Sequence, residues 1–156
     1  MKLAEALAER ADATRRVEQL RSRIVGSARY QEGEEPAENA AELLVEVGHV
    51  LDRLEVLIRA INRTNTTAEV EPGTTVTDAL ARRDTLRLRH SVVTSSADAA
   101  AGREHGGFGR QLRSELKMFS ALPVADLRSQ ADVLARDIRA VDVLIQRANW
   151  EVDLIE

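Results

Sequence analysis

Three groups of residues in this 156-residue chain have the types and spacing that chemistry would need. Glu46 and His49 form a Glu-x-x-His pair on a predicted helix. In di-iron helical bundles such a pair turns a carboxylate and an imidazole toward one metal. That site needs a second pair and two further glutamates from other helices, and no second helical pair occurs. Glu42, Glu46, His49 and Arg53 instead follow one another at neighbour spacing, which reads as a solvated polar row. The second group is Arg82, Arg83, Arg87 and Arg89 beside His90. Guanidinium forks at this density can grip phosphates of nucleic acid or another polyanion. No aromatic residue lies nearby to stack bases, and the net charge of −4 does not favour a general nucleic-acid binder. The alternative is a solvated face paired with acids elsewhere, such as the Glu32–Glu38 cluster, in the same chain or in another subunit.

The third group is polar: Asn62-Arg63-Thr64-Asn65, Arg83-Asp84 and Asn149-Trp150. A buried Asn–Arg–Asp network of this kind fixes helix register at some cost in stability. The remaining candidates are weak. His49, His90 and His105 lack any nucleophile context, and Gly106-Gly107-Phe108-Gly109 follows no strand that would make it a phosphate loop. Cysteine is absent, which removes thiol catalysis, disulfides and Cys-ligated zinc. No catalytic residue, metal site or cofactor is implied, and an enzyme is not expected.

The elements that must position these residues are helical. The chain is 31% charged and only 3% aromatic, with 23 Ala and 18 Leu, a balance that suits solvated helices. Arg outnumbers Lys by 20 to 2, as a GC-rich coding sequence would give. The length predicts one domain, residues 1–156. A first helix is predicted from Lys2 to about Val25, followed by an acidic loop to Pro36. Asn39 with Glu42 marks the start of a second. Along it Leu43, Val47, Val50, Leu54, Leu57 and Ile61 recur every three or four residues, and Leu44, Leu51 and Ile58 widen that seam. Asn62 to Thr77 breaks the pattern and leaves room for a small hairpin at 66–77 turning on Glu71-Pro72-Gly73. A third helix is predicted from Asp78 to about Ala100 with no clean stripe, then a mobile Gly-rich loop at 101–110. The 112–122 stretch fits extended chain or a short helix.

The fourth helix, Val124 to Leu154, carries the strongest pattern. Leu127, Ala131, Leu134, Ile138, Val141, Ile145, Ala148, Val152 and Ile155 alternate spacings of four and three. Val143, Trp150 and Leu154 repeat on the opposite face. A helix apolar on two faces needs two partners, so Trp150 is the expected anchor of a contact between subunits, with cover from the same chain as the alternative. The longest uncharged run is too short to span a membrane. The early acids Glu5 and Glu9 do not suit a signal peptide, so a cytoplasmic protein is expected.

Several stretches resemble the septicolysin-like family of uncharacterised bacterial proteins. They are Met1-Lys2-Leu3-Ala4-Glu5-Ala6-Leu7, Gln31-Glu32-Gly33-Glu34-Glu35-Pro36, Ile61-Asn62-Arg63-Thr64-Asn65 and Leu80-Ala81-Arg82-Arg83-Asp84. Ser114-Glu115-Leu116-Lys117 and Ile145-Gln146-x-x-Asn149-Trp150 complete the set. The resemblance implies an all-helical subunit, a homo-oligomer such as a hexamer, and no established activity. Some members carry the label of a pore-forming cytolysin. The residues argue against that role here, since the amphipathic helices read as coiled-coil elements whose seams need one another.

The sequence therefore predicts an all-α protein of long antiparallel helices in a bundle or coiled-coil-like arrangement. Its expected property is self-assembly. Polyanion binding through Arg82–Arg89 is the alternative, and pore formation stands behind that.

Overall fold

The computed structural model describes residues 1–103 and 116–155. The Gly-loop residues His105, Gly106, Gly107, Phe108 and Gly109, together with Ser114 and Glu115, lie outside the described residues. The protein is all-α, and the described residues form four long helices and one small hairpin. The elements are α1 (Leu3–Ser27), α2 (Ala40–Thr67), β1 (Glu69–Glu71), β2 (Thr74–Thr75), α3 (Val76–Ala100) and α4 (Val124–Glu151). They divide into two compact units. One comprises Met1–Val76 and Gln146–Glu156, the other Thr77–Ile145.

In the first unit α1 and α2 run antiparallel, and a ladder of ion pairs fixes their register. Glu9 meets Arg53, Arg16 meets Glu46, and Arg23 meets Glu38. The partners climb α1 in steps of seven while descending α2 from Arg53 to Glu46 and ending on Glu38, just before its Asn39 cap. The signs are complementary at each rung, which favours this alignment over a slipped one. Arg16 and Arg23 each engage their partner through two nitrogens, with Nε at 3.1 Å and 2.9 Å from the carboxylate. An aliphatic layer lies beyond the Glu9–Arg53 rung. Leu3, Ala6, Leu57 and Ile61 form a buried cluster, joined by Leu7 and Leu154.

Local chemistry sets the ends of α2. The Asn39 side chain accepts from the backbone N–H groups of Ala41 and Glu42 at 3.1 and 3.3 Å. Its amide in turn donates to the Glu42 carboxylate at 2.9 Å. The helix does not stop at Asn62, as its composition predicts, but continues to Thr67. The threonines are accommodated because their hydroxyls turn back on the helix. Thr64 donates to the Ala60 carbonyl, and Thr66 and Thr67 donate to that of Arg63. Tertiary burial of Ile61 and Thr64 then outweighs weak propensity.

The hairpin falls where the Pro-Gly signal places it, with Glu71 opposite Thr74. Gly73 supplies the positive φ of +78° that this turn requires after Pro72. Val76 opens α3 instead of joining a strand, its N–H donating to the Ala68 carbonyl at 2.8 Å.

In the second unit α3 and the 124–145 part of α4 also run antiparallel. Arg87 pairs with Asp142 at 3.1 Å near one end, and Arg128 with Asp98 at 2.6 Å near the other. The end of α3 is a Schellman turn. Arg103 N–H donates to the Asp98 carbonyl and Gly102 N–H to that of Ala99, with Gly102 at φ +75°. One glycine of the predicted loop is thus a helix terminator. The seam of α4 is its buried face, with Ala131, Val141, Ile145 and Ala148 all buried.

Candidate functional site

The end of the chain departs from the predicted helix. α4 stops at Glu151, and Val152–Leu154 runs beside the first residues as an antiparallel bridge. Leu3 N–H donates to the Val152 carbonyl at 3.0 Å, and Leu154 N–H to that of Met1 at 2.8 Å. The Lys2 ammonium reaches the Asp153 carboxylate at 2.8 Å and the Glu151 carbonyl at 3.0 Å. Lys2 hydrogen-bonds to Asp153 and holds its carboxyl below the usual range. Ile155 N–H donates to the Thr64 hydroxyl at 2.9 Å. Leu154 therefore does not extend a second face of α4 with Val143 and Trp150, but packs into the core cluster. Backbone pairing with Met1–Leu3 replaces the helical bonds that would have turned it outward.

This clamp closes a cavity of about 370 Å³ beside α2. Leu154 and Met1 form one wall. The other is a single stripe of α2 in which Arg53, Val56, Leu57, Ala60 and Arg63 succeed one another by neighbour spacings, with Arg59 at the edge. The floor is aliphatic and the rim carries three guanidinium groups. Glu9 grips Arg53 through Nε at 2.8 Å, and that hydrogen bond lowers the carboxyl's pKa against a smaller desolvation effect. Arg59 has a loose partner in Glu55 at 3.7 Å. The sequence carries part of this signal, as three arginines within eleven residues of one helix. The wall from Leu154 is not legible, because it depends on the two ends of the chain meeting.

The predicted residues are placed as follows. Arg82 and Arg89 are exposed, and Arg89 borders a shallow groove with Val93 and Leu134. Arg83 is half-buried, bonds to Asp84 at 3.0 Å and approaches Asp142 at 4.0 Å. Arg87 also faces Asp142. Within the second unit the acid opposite Arg83 and Arg87 is therefore Asp142, while Glu38 is held by Arg23 in the first. Asn62 is exposed, whereas Asn65 and Asn149 are half-buried. The polar residue at the centre of the first unit is Thr64, fully buried and bonded on both sides. Glu46 spends its carboxylate on Arg16, and His49 beside it is exposed. Among the described residues no group of three or more His, Asp or Glu could hold a metal ion.

Two exposed apolar features stand apart from the cavity. Leu44, Leu51 and Ile58 are 57, 46 and 40% exposed. They stand seven residues apart on the flank of α2 away from the arginine stripe, so they do not thicken its buried seam as the sequence predicts. Trp150 and Val143 on α4 are each 66% exposed. No helix among the described residues is long and apolar enough to cross a membrane.

An all-α chain of two antiparallel helix pairs, with a cation-rimmed cavity in one, is the class of protein that emerges. The chain belongs to a family of unknown function, DUF6847, whose model matches residues 10–154. It is similar to a solved structure, a functionally unknown conserved protein from Corynebacterium diphtheriae, with 39% identity over 99% of each chain and a TM-score of 0.90. No curated protein matches it. These findings correct the septicolysin-like resemblance, and the support that it lent to a hexamer and to a cytolysin label goes with it.

Proposed function

We propose that this protein acts as a self-associating helical subunit, with a binding or scaffolding role and no catalytic one. The observation that carries the reading is the row Leu44, Leu51 and Ile58, left open to water on a regular helix. Three large aliphatic side chains at heptad spacing form a row of knobs, about 10 Å apart along the helix, of the kind that inserts into the holes of a partner helix. Gly48 lies between the first two, and nothing stands within 4 Å of where its Cβ would be, so a second backbone can come close. Exposed Trp150 adds a second anchor with a large apolar face and one N–H donor.

The polyanion reading is the weaker one, because Arg83 and Arg87 are directed at Asp142. Sedimentation velocity between about 1 and 100 μM tests the proposal. A species larger than one chain is expected, with Leu51→Lys dissociating it and Trp150→Ala weakening it while helicity by circular dichroism stays unchanged. A monomer throughout that range would overturn it, as would an assembly indifferent to both changes.

A further inference from the structure

We propose that the cavity beside α2 is a binding site for an amphipathic organic anion, an aliphatic body bearing a carboxylate or phosphate head. Its volume of about 370 Å³ lies in the range of small-molecule sites. The lining sorts by chemistry. Leu57 and Ala60 supply an apolar floor and Leu154 an apolar wall, while Arg53, Arg59 and Arg63 supply cations at the rim. No acidic side chain lines the cavity. Glu9 and Glu55 touch Arg53 and Arg59 from outside the lining, so they orient the guanidinium groups without occupying the space they border.

An apolar ligand would gain nothing from this rim, and a fully polar anion would leave the floor wet. An anion with a short hydrocarbon body satisfies both, since guanidinium groups pair with planar and tetrahedral oxyanions alike. The site is also independent of self-association. Its stripe on α2 and the Leu44–Leu51–Ile58 row lie on opposite flanks of the buried seam, so a partner helix on the row leaves the cavity open.

Titration calorimetry on the full chain, with probes below their micelle concentrations, tests the site. Decanoate and decyl phosphate are compared with uncharged decanol. At least one of the two anions should bind roughly tenfold or more tightly than decanol, as a charge-assisted hydrogen bond would give. The tighter anion identifies the head group. The Arg59→Gln/Arg63→Gln double variant should weaken that binding by about tenfold or more. Val56→Glu, which sets a negative charge on an exposed part of the wall, should do the same without touching the core. Thermal melts of both variants establish that they fold. The proposal is overturned if neither anion binds, if decanol binds equally well, or if the folded variants bind as tightly as the parent.

Discussion

Replacing Thr64 by Val would separate the hydrogen-bonding role of this side chain from its packing role. Thr64 is fully buried on the inner face of α2. Its hydroxyl donates to the Ala60 carbonyl at 2.8 Å and accepts the Ile155 N–H at 2.9 Å. Valine keeps the shape and loses both bonds. The deprived group that matters is the Ile155 N–H, which is partly buried and therefore partly reachable by water. The cost should lie toward the lower part of the range for an unmet donor, about 1–2 kcal/mol. For a chain of this size that lowers the melting midpoint by roughly 2–8 °C. Thr64→Ser keeps the hydroxyl but opens a void of one methyl, for about 1 kcal/mol. Melting alone would not distinguish the two variants, so amide hydrogen exchange at Ile155 decides. Valine should speed exchange there by roughly tenfold if about 1.4 kcal/mol of protection is lost, and serine should leave it unchanged. Equal protection at Ile155 in the parent and the valine variant would refute the claim that Thr64 holds the end of the chain.

Two further outcomes follow from the helix ends and the ion ladder. Asn39→Ala removes the acceptor for two orphan N–H groups of α2 and should cost about 1 kcal/mol in urea titration, with Asn39→Asp retaining most of it. The carboxyls of Glu9 and Glu38 are held below their ordinary value of 4.5, chiefly by hydrogen bonds from Arg53 and Arg23. A depressed carboxyl stabilises the fold above its unfolded pKa, and that contribution is lost as pH falls through the folded value. The melting midpoint should therefore hold between pH 7 and 5 and decline below about pH 4.5, with a shallower decline in a Glu9→Gln/Glu38→Gln variant.

Much of the fold was legible because helical periodicity is local. The alternating spacing of Leu43 to Ile61 and of Leu127 to Ala148 marks faces that are buried or half-buried. The Asn39 cap and the Pro72-Gly73 turn depend on residues within a few positions of one another, so they could be read directly. The extension of α2 through Asn62–Thr67 could not. Its threonines carry weak helix propensity, and what holds them is burial beside residues far away in sequence. The basic cluster was visible, but its acid was not, because Asp142 lies 55 positions from Arg87.

The sequence by itself determined the four helices, the position of the hairpin and the lack of thiol chemistry, since each follows from residue type and short-range spacing. The tertiary structure decided where the apolar residues point and which charges meet. Leu154 left the predicted outer face of α4 for the core because the chain's two ends pair through their backbones. Leu44, Leu51 and Ile58 extend the apolar pattern in the sequence and stay in water in the fold, because α1 covers only one side of α2. The arginine-rimmed cavity exists only through that closure, which joins residues more than ninety positions apart.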